Sequence, residues 1–223
     1  MKGGDIMYKN LYDCFKHWYR GGSIWVYSDP HFDDDELDAI VENRPTAEEQ
    51  VKRINSKLGK NDTIIFLGDI GNVKWIKKIR GYKVLIMGNH DAGASHYKRV
   101  VIKTHESECD PEVMTDCVYE DGCYIYDTKL FDEVYEGCLM ISPKIILSHE
   151  PVNFPYAFNI HGHDHSSWFN KDEFHFNVCA DHINYTPVNL PALIKDGYLK
   201  NIPDVHRTTI DNAIRRNFKK GKK

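Results

Sequence analysis

The stretch "DTIIFLGDIG" (residues 62–71) decides the fold of this chain. An apolar run that stops at Gly-Asp is typical of a short, buried β-strand. The stretches "SIWVYSDPHF" (23–32) and "YKVLIMGNHD" (82–91) have the same form, on either side of it. A helical pattern separates each of these strands from the next, and that order predicts a sheet with parallel neighbours covered by helices.

Two helices are predicted between these strands. The first follows a capping box formed by Thr46 and Glu49 and ends before Gly59. Its apolar residues recur at helical spacing and form one face: Ala47, Val51, Ile54 and Leu58. The second helix, over 73–81, is short. Since each strand ends at a polar cluster, and ligands bind outside the carboxyl ends of such strands, we expect a functional site at this edge.

The second half of the chain predicts another sheet. The stretches "KIILSHEP" (144–151), "AFNIHGHDH" (157–165) and "EFHFNVCAD" (173–181) alternate, or run apolar, as strands do. A final helix is predicted over 209–218. Residues 92–140 mix acidic residues, cysteines and aromatics without a clear pattern.

The start of the chain predicts a helix over residues 5–20 that carries an aromatic stripe and ends at Gly21 and Gly22. We expect it to dock on its own domain, with a partner surface as the alternative. At 223 residues the chain is most simply one domain, 1–223, with the amino-terminal helix inside 1–22 and a basic tail at 215–223.

Charge is distributed unevenly along the chain. The net charge is −4, but the tail holds six of the 29 basic residues, which leaves about −10 on the rest. Such a surface is unfavourable for nucleic acid, so we do not expect a nucleic-acid partner. The sequence shows neither a signal peptide nor a membrane span, so a cytoplasmic protein with six reduced cysteines is expected. A homodimer is left open.

The polar side chains at the predicted strand ends have only oxygen and nitrogen donor atoms. The set is Asp29, His31, Asp69, Asn89, His90, Asp91, His149, His163 and His165. Such donors suit Mn²⁺, Fe²⁺ or Zn²⁺ better than soft ions. They are too many for one ion and fit two ions that share a carboxylate, an arrangement that can clamp a phosphoryl group and activate water.

Five ordered motifs carry a family resemblance. They are D-x-H at 29–31, G-D at 68–69, G-N-H-D at 88–91, His149, and G-H-x-H at 162–165. From about Ile24 to about Pro187 the chain resembles the calcineurin-like metallophosphoesterase superfamily, in particular its compact bacterial and phage members. The resemblance implies an α/β fold: a four-layer αββα sandwich of two mixed β-sheets flanked by helices, with the active site at the C-terminal ends of strands.

The resemblance also implies which residues bind two divalent cations, most simply Mn²⁺, with Fe²⁺ or Zn²⁺ as alternatives. The ligands of the first ion would be Asp29, His31 and His165. The ligands of the second ion would be Asn89, His149 and His163. Asp69 would bridge both ions.

The catalytic residues implied by the resemblance are His90 and Asp91. His90 would act as a general acid or stabilise the phosphate, with Asp91 orienting it. In-line attack by a metal-bridging hydroxide would then expel an alcohol or a nucleotide. The expected function is hydrolysis of a small phosphate ester, a phosphodiester or a nucleotide.

Two other functions stay open. A nuclease of the same superfamily would need a basic groove, which the acidic body disfavours. A non-catalytic binding scaffold could lose ligand residues, whereas this chain fills every motif position.

Three features lie outside the motifs. His161 shares the stretch "NIHGHDHSSW" (159–168) with two predicted ligands but matches nothing in the motif, so we expect it to pack or to orient a neighbour, with substrate contact as the alternative. Arg44 is the predicted cationic contact for a substrate phosphate. The acidic run 33–36 is most simply the first turn of a helix. Alternatively, it borders the pocket, where it repels highly anionic substrates or captures another cation.

Overall fold

The structure, a computed structural model, describes residues 11–91, 99–102, 123–126, 130–165, 171–203 and 205–220. The strands of the first sheet are β1 (Ile24–Tyr27), β2 (Thr63–Phe66), β3 (Tyr82–Ile86), β6 (Glu133–Tyr135) and β11 (Val188–Asn189). Their order across the sheet is β11-β1-β2-β3-β6. The central strands run parallel, with Val26 opposite Ile65 and Ile65 opposite Val84, while β11 is antiparallel to β1. The parallel sheet predicted from the sequence is confirmed.

The second sheet is also mixed and has the order β10-β9-β8-β7. Its strands are β7 (Leu139–Ser142), β8 (Ile145–Leu147), β9 (Phe158–His161) and β10 (His175–Asn177). Strands β8, β9 and β10 are parallel, and β7 pairs antiparallel with β8. A separate antiparallel pair consists of β4 (Arg99–Ile102) and β5 (Cys123–Tyr126).

Helices connect and cover the strands. They are α1 (Asp35–Ile40), α2 (Ala47–Lys57), α3 (Leu190–Lys195), α4 (Val205–Lys220) and two 3₁₀ helices, Asp13–Trp18 and Val73–Lys78. The predicted capping box is present, since the Thr46 hydroxyl accepts the N–H of Glu49 at 3.3 Å. The second predicted helix is a 3₁₀ helix, and α4 is longer than predicted.

Successive side chains along the strands point to opposite faces of the sheet, and they form two hydrophobic cores. Ile65 of β2 and its neighbour Leu67 pack between the sheets with residues such as Ile160. Ile64 and Phe66 face the other way and pack against the apolar face of α2. Burying these strands on both faces accounts for their near-continuous apolar sequence. The α/β fold of two mixed sheets flanked by helices is therefore confirmed.

The amino-terminal helix differs from its prediction. Only Asp13–Trp18 is helical among the described residues of this segment, as a 3₁₀ helix, and residues 5–10 lie outside the described part. A full helix is prevented at Tyr12, which is extended and donates its N–H to the carbonyl of Ile141 at 2.9 Å. Phe15 and Trp18, three residues apart on the 3₁₀ turn, are buried in the core between the sheets.

Candidate metal centre

Left-handed backbone conformations concentrate where the strands end. Asp29 after β1, Asp69 after β2 and His163 after β9 have φ angles of 54°, 52° and 67°, and His31 has 40°. Such values cost energy for residues other than glycine, and they cluster at functional sites. The local backbone is therefore bent to direct these side chains toward one place.

The first group of donors surrounds the carboxylate of Asp29. Its Oδ1 lies 4.0 Å from Nε2 of His31 and 3.7 Å from Nε2 of His165. Ligands held at about 2.1 Å from a common ion are roughly 3 to 4 Å from one another, so this spacing suits a shared cation.

The second group of donors is tighter. Nε2 of His149 lies 2.8 Å from Oδ1 of Asn89 and 3.0 Å from Nδ1 of His163. The Asn89 oxygen and the His163 nitrogen are 3.1 Å apart. These three donor atoms therefore converge on one point.

Asp69 lies between the two groups. Its Oδ2 is 3.6 Å from Nε2 of His31 in the first group and 3.4 Å from Nε2 of His149 in the second. The structure thus brings all seven predicted ligands into a single cluster with one carboxylate oxygen near both halves.

The surroundings of one buried oxygen atom indicate whether the cluster suits cations. Oδ1 of Asp29 is buried, and within the described part of the chain it has no hydrogen-bond partner. A buried, unpaired carboxylate oxygen is costly unless a cation or a donor satisfies it. The residues present therefore fit divalent cations.

Each of three histidines is oriented through its Nδ1 atom. His31 Nδ1 lies 2.9 Å from Oδ2 of Asp34, and His165 Nδ1 lies 3.0 Å from Oδ2 of Asp181. His149 Nδ1 lies 2.7 Å from the carbonyl oxygen of Leu67. These contacts place the proton on Nδ1 and leave Nε2 for a metal. The Asp181 hydrogen bond also raises the pKa of His165.

Sequence reasoning did not identify Asp34 and Asp181 as orienting residues. Asp181 ends the predicted strand "EFHFNVCAD", so the rule that strand ends carry functional groups could have found it. Asp34 belongs to the acidic run, which gives no sign of this role in the sequence. The fold shows that one carboxylate oxygen of Asp34 lies against His31 and that the other caps α1.

Cys179 is a further neighbour of the site. Its Sγ donates to Oδ2 of Asp29 at 3.1 Å, and the same oxygen accepts the backbone N–H of His163 at 2.9 Å. Burial, with the nearby Asp29 charge, raises the pKa of the Cys179 thiol, which therefore stays protonated as a donor. These two bonds hold Asp29 so that its Oδ1 is directed at the cluster.

Asp91 joins two of the strand-end loops. Its carboxylate accepts backbone N–H groups from Asp69 at 2.7 Å, Ile70 at 3.2 Å and Gly88 at 2.9 Å. Burial raises the pKa of Asp91 despite these bonds. The imidazole of His90 lies beside the cluster, with its ring centre 5.5 Å from that of His31.

Gly162 is required for close approach rather than for backbone freedom. A Cβ atom here would lie 2.0 Å from the Ser28 hydroxyl and 2.1 Å from Oδ2 of Asp29. The positive φ of this turn falls on His163 instead. The side chains of His163 and His165 therefore join different donor groups from one turn. His161 ends β9 and is buried, with its Nδ1 2.8 Å from the carbonyl oxygen of Gly162.

Arg44 occupies a different place from the one predicted. Its guanidinium donates to the carbonyl oxygens of Pro30 at 2.6 Å and His31 at 2.9 Å and pairs with Asp38. The side chain is only 3% exposed. Because its donors are directed at the D-x-H turn, we assign Arg44 a positioning role in place of the predicted phosphate contact.

An open cleft of about 220 Å³ gives access to the cluster. It is lined by His31, Asp34, Glu36, Leu37, Ile40, Asp69, His90, His163 and His165. Part of the acidic run therefore does border the site.

Among the described residues, no helix has the length and apolar character needed to cross a membrane.

Comparisons with known proteins identify the family of the chain. The model of the family described as calcineurin-like phosphoesterase matches residues 22–201. A crystal structure of protein AQ665 from Aquifex aeolicus, described as of unknown function, is 20% identical with a TM-score of 0.53, over 78% of this chain and 98% of that chain.

A second crystal structure, the nuclease MPE of Pseudomonas putida, is 20% identical with a TM-score of 0.39, over 66% of this chain and 63% of that one. No curated protein matches the chain. The AQ665 structure supports the fold, and the family model covers most of the sequence, strand ends included. The chain therefore belongs to the calcineurin-like phosphoesterase family, whose members are metal-dependent phosphoric ester hydrolases.

Proposed function

We propose that this enzyme hydrolyses a small phosphate ester, a phosphodiester or a nucleotide, with two divalent cations. The observation that carries the proposal is the position of Asp69 Oδ2. This oxygen lies 3.6 Å from Nε2 of His31, in the first donor group, and 3.4 Å from Nε2 of His149, in the second. One oxygen near both groups is what a pair of cations sharing a carboxylate requires.

The proposed ligands are divided between the two cations. Those of the first are Asp29, His31 and His165, and those of the second are Asn89, His149 and His163. Asp69 is shared. The donor atoms are all oxygen or nitrogen, which favours Mn²⁺, with Fe²⁺ or Zn²⁺ as alternatives. When bound, the cations supply an activated water and neutralise charge on the phosphoryl oxygens.

The remaining chemistry belongs to His90 and its neighbours. The imidazole of His90 lines the cleft beside the cluster, where it can donate a proton to the departing oxygen of the ester. The backbone N–H of His90 donates to Oδ1 of Asp69 at 3.0 Å, and Asp91 accepts three N–H groups from the two loops. These bonds fix His90 relative to the shared carboxylate.

The test combines metal content with turnover. We expect about two Mn²⁺ per chain by elemental analysis and hydrolysis of bis(4-nitrophenyl) phosphate. His90→Ala retains metal and loses about 100-fold or more in kcat. Asp69→Ala loses metal and activity together.

Two results would contradict the proposal. Cleavage of single-stranded DNA without turnover of any small ester would favour the nuclease. Equal inertness of the wild type and both variants toward esters, cyclic nucleotides and DNA, with metal bound, would favour a binding scaffold.

A further inference from the structure

We propose that helix α1 is a specificity wall that selects singly charged phosphodiesters bearing an apolar group over doubly charged phosphomonoesters. The wall consists of Asp34, Glu36, Leu37 and Ile40, which line the cleft. This inference rests on the proposed function and assigns its substrate class.

The wall lies directly beside the site. Helix α1 begins four residues after His31, and Asp34 joins the two by binding His31 Nδ1 with one oxygen and the N–H of Leu37 with the other. The side chains of α1 and the imidazoles of the cluster therefore share one cleft. A diester whose phosphorus lies at the cluster and whose leaving group faces His90 has its other ester group against α1.

The charge on the wall is negative. The described residues that line the cleft include no lysine or arginine. Asp34 is engaged by His31 and by the helix cap, so its charge is compensated in part. Glu36 is exposed, and no hydrogen bond or ion pair joins it to another residue of the described part. Its carboxylate is an uncompensated charge at the rim.

With the proposed cations bound, the two ends of the cleft would carry opposite signs. Asp69, His31 and His165 line the end at the donor cluster, and the exposed Glu36 lies at the rim. A phosphomonoester carries about −1.5 to −2 charges at neutral pH. A diester carries only one, so the rim repels the monoester more.

The rim is also apolar. Ile40 is 78% exposed, and Leu37 lies beside it on the cleft side of the helix. An exposed isoleucine at the mouth of a cleft offers contact area to an aryl or nucleobase group on a diester. A methyl or other short alkyl group offers much less area for this contact.

The charge test uses two matched esters, bis(4-nitrophenyl) phosphate and 4-nitrophenyl phosphate, with the Mn²⁺-loaded protein. We expect Glu36→Gln to raise kcat/KM for the monoester by about two- to fivefold and Glu36→Lys by more, with little change for the diester. The effect should shrink as salt rises. Asp35→Asn is the control, because Asp35 has the same charge on the same helix but does not line the cleft.

The apolar test compares bis(4-nitrophenyl) phosphate with methyl 4-nitrophenyl phosphate. Ile40→Ser should raise KM for the bis-aryl ester by about threefold and leave KM for the methyl ester unchanged. The inference is overturned if Glu36→Lys keeps the wild-type preference between monoester and diester, or if Asp35→Asn changes it as much.

Calorimetric measurement of ester binding distinguishes failure of this inference from failure of the proposed function. If the wild type hydrolyses neither ester, the proposed function fails, and calorimetric binding of the two esters to the Mn²⁺-loaded protein then decides the inference. Tighter monoester binding in Glu36→Lys alone supports the wall, and equal binding in all variants contradicts it.

Discussion

At the scale of single residues, the site depends on how closely backbone and side chains approach Asp29. Its Oδ2 accepts the N–H of His163 and the thiol of Cys179, while Oδ1 stays directed at the cluster. Gly162 makes this approach sterically allowed, because any side chain there would meet the Asp29 carboxylate.

Gly162→Ala should therefore damage the site more than the fold. The added Cβ would lie 2.1 Å from Oδ2 of Asp29, so the turn that carries His163 and His165 must move. We expect Mn²⁺ affinity to fall about 10- to 100-fold by calorimetry and stability to fall by about 1–3 kcal/mol by urea unfolding.

The control for this variant is Gly137→Ala. Gly137 has a φ of 72°, and a Cβ atom added there would meet no described residue within 4 Å. The change should therefore cost about 1–2 kcal/mol of backbone strain and leave metal affinity unchanged. Wild-type Mn²⁺ affinity in Gly162→Ala would show that the close approach is dispensable.

At the scale of elements, α1 is coupled to the site through one side chain. Asp34 caps the helix with Oδ1 at 3.0 Å from the N–H of Leu37 and orients His31 with Oδ2. The position of the helix and the tautomer of the histidine are therefore set by the same carboxylate.

Asp34→Asn separates these two roles. Asparagine still caps the helix, but its amide NH₂ facing Nδ1 favours the tautomer with the proton on Nε2, the atom that faces the metal. We expect Mn²⁺ affinity about 10- to 100-fold lower, with stability of the metal-free protein within about 0.5 kcal/mol of the wild type.

Asp34→Ala also loses the helix cap, so we expect its free energy of unfolding to be about 1 kcal/mol lower than that of Asp34→Asn, as measured by thermal unfolding. Equal metal affinity in Asp34→Asn and the wild type would contradict the orienting role.

Elements with strong periodicity were predictable from the sequence, and short or locally overridden ones were not. Strands β1 to β3 and helix α2 follow from long apolar patterns. The acidic run predicts the first turn of helix α1, but its six residues are too few to show a period. The aromatic stripe at the start of the chain predicts a full helix, which does not form because Tyr12 pairs with β7. Strand β6 and the start of β7 lie in residues 92–140, the stretch that showed no clear pattern.

At the scale of the whole molecule, Glu133 links three parts of the fold. This residue of edge strand β6 accepts from the Tyr82 hydroxyl of β3 at 2.7 Å and from the indole of Trp18 at 3.0 Å. Tyr135 and His17 also contact its carboxylate. Burial favours the neutral acid, but these hydrogen bonds outweigh it and lower the pKa of Glu133.

Glu133→Gln should make stability less sensitive to acid. A carboxylate with a lowered pKa in the folded state stabilises the protein above its unfolded pKa, near 4.5, and loses that contribution as pH falls through the folded value. We expect the variant to be about 1–3 kcal/mol less stable at pH 6, and we expect this difference to shrink as the pH falls below about 4.5.

Urea unfolding of the metal-free protein from pH 6 to pH 3 measures this difference. The exposed Glu42→Gln is the control and should track the wild type throughout. A constant gap between Glu133→Gln and the wild type over the whole range would contradict the prediction.

The candidate site could be predicted from ordered motifs because its ligands follow strands that the pattern identifies. The residues that orient those ligands were harder to predict. Asp181 follows a predicted strand, but only the packing of the two sheets shows that it reaches His165 and that Cys179 reaches Asp29. Arg44 was misassigned for the same reason: its charge was visible, but its burial behind the D-x-H turn was not.

The donor groups are contributed by both halves of the sandwich, and this has a mechanical consequence. Asp29, Asp69 and Asn89 extend from the first sheet, whereas His149, His163 and His165 extend from the second. Cations bound by both sets, as we propose, would join the two sheets, so metal binding and folding would be thermodynamically coupled. A free-metal concentration one hundred times the dissociation constant would add about 2.7 kcal/mol to the stability of the native state. Removing metal from the proposed site should therefore lower the stability of the fold as well as the activity.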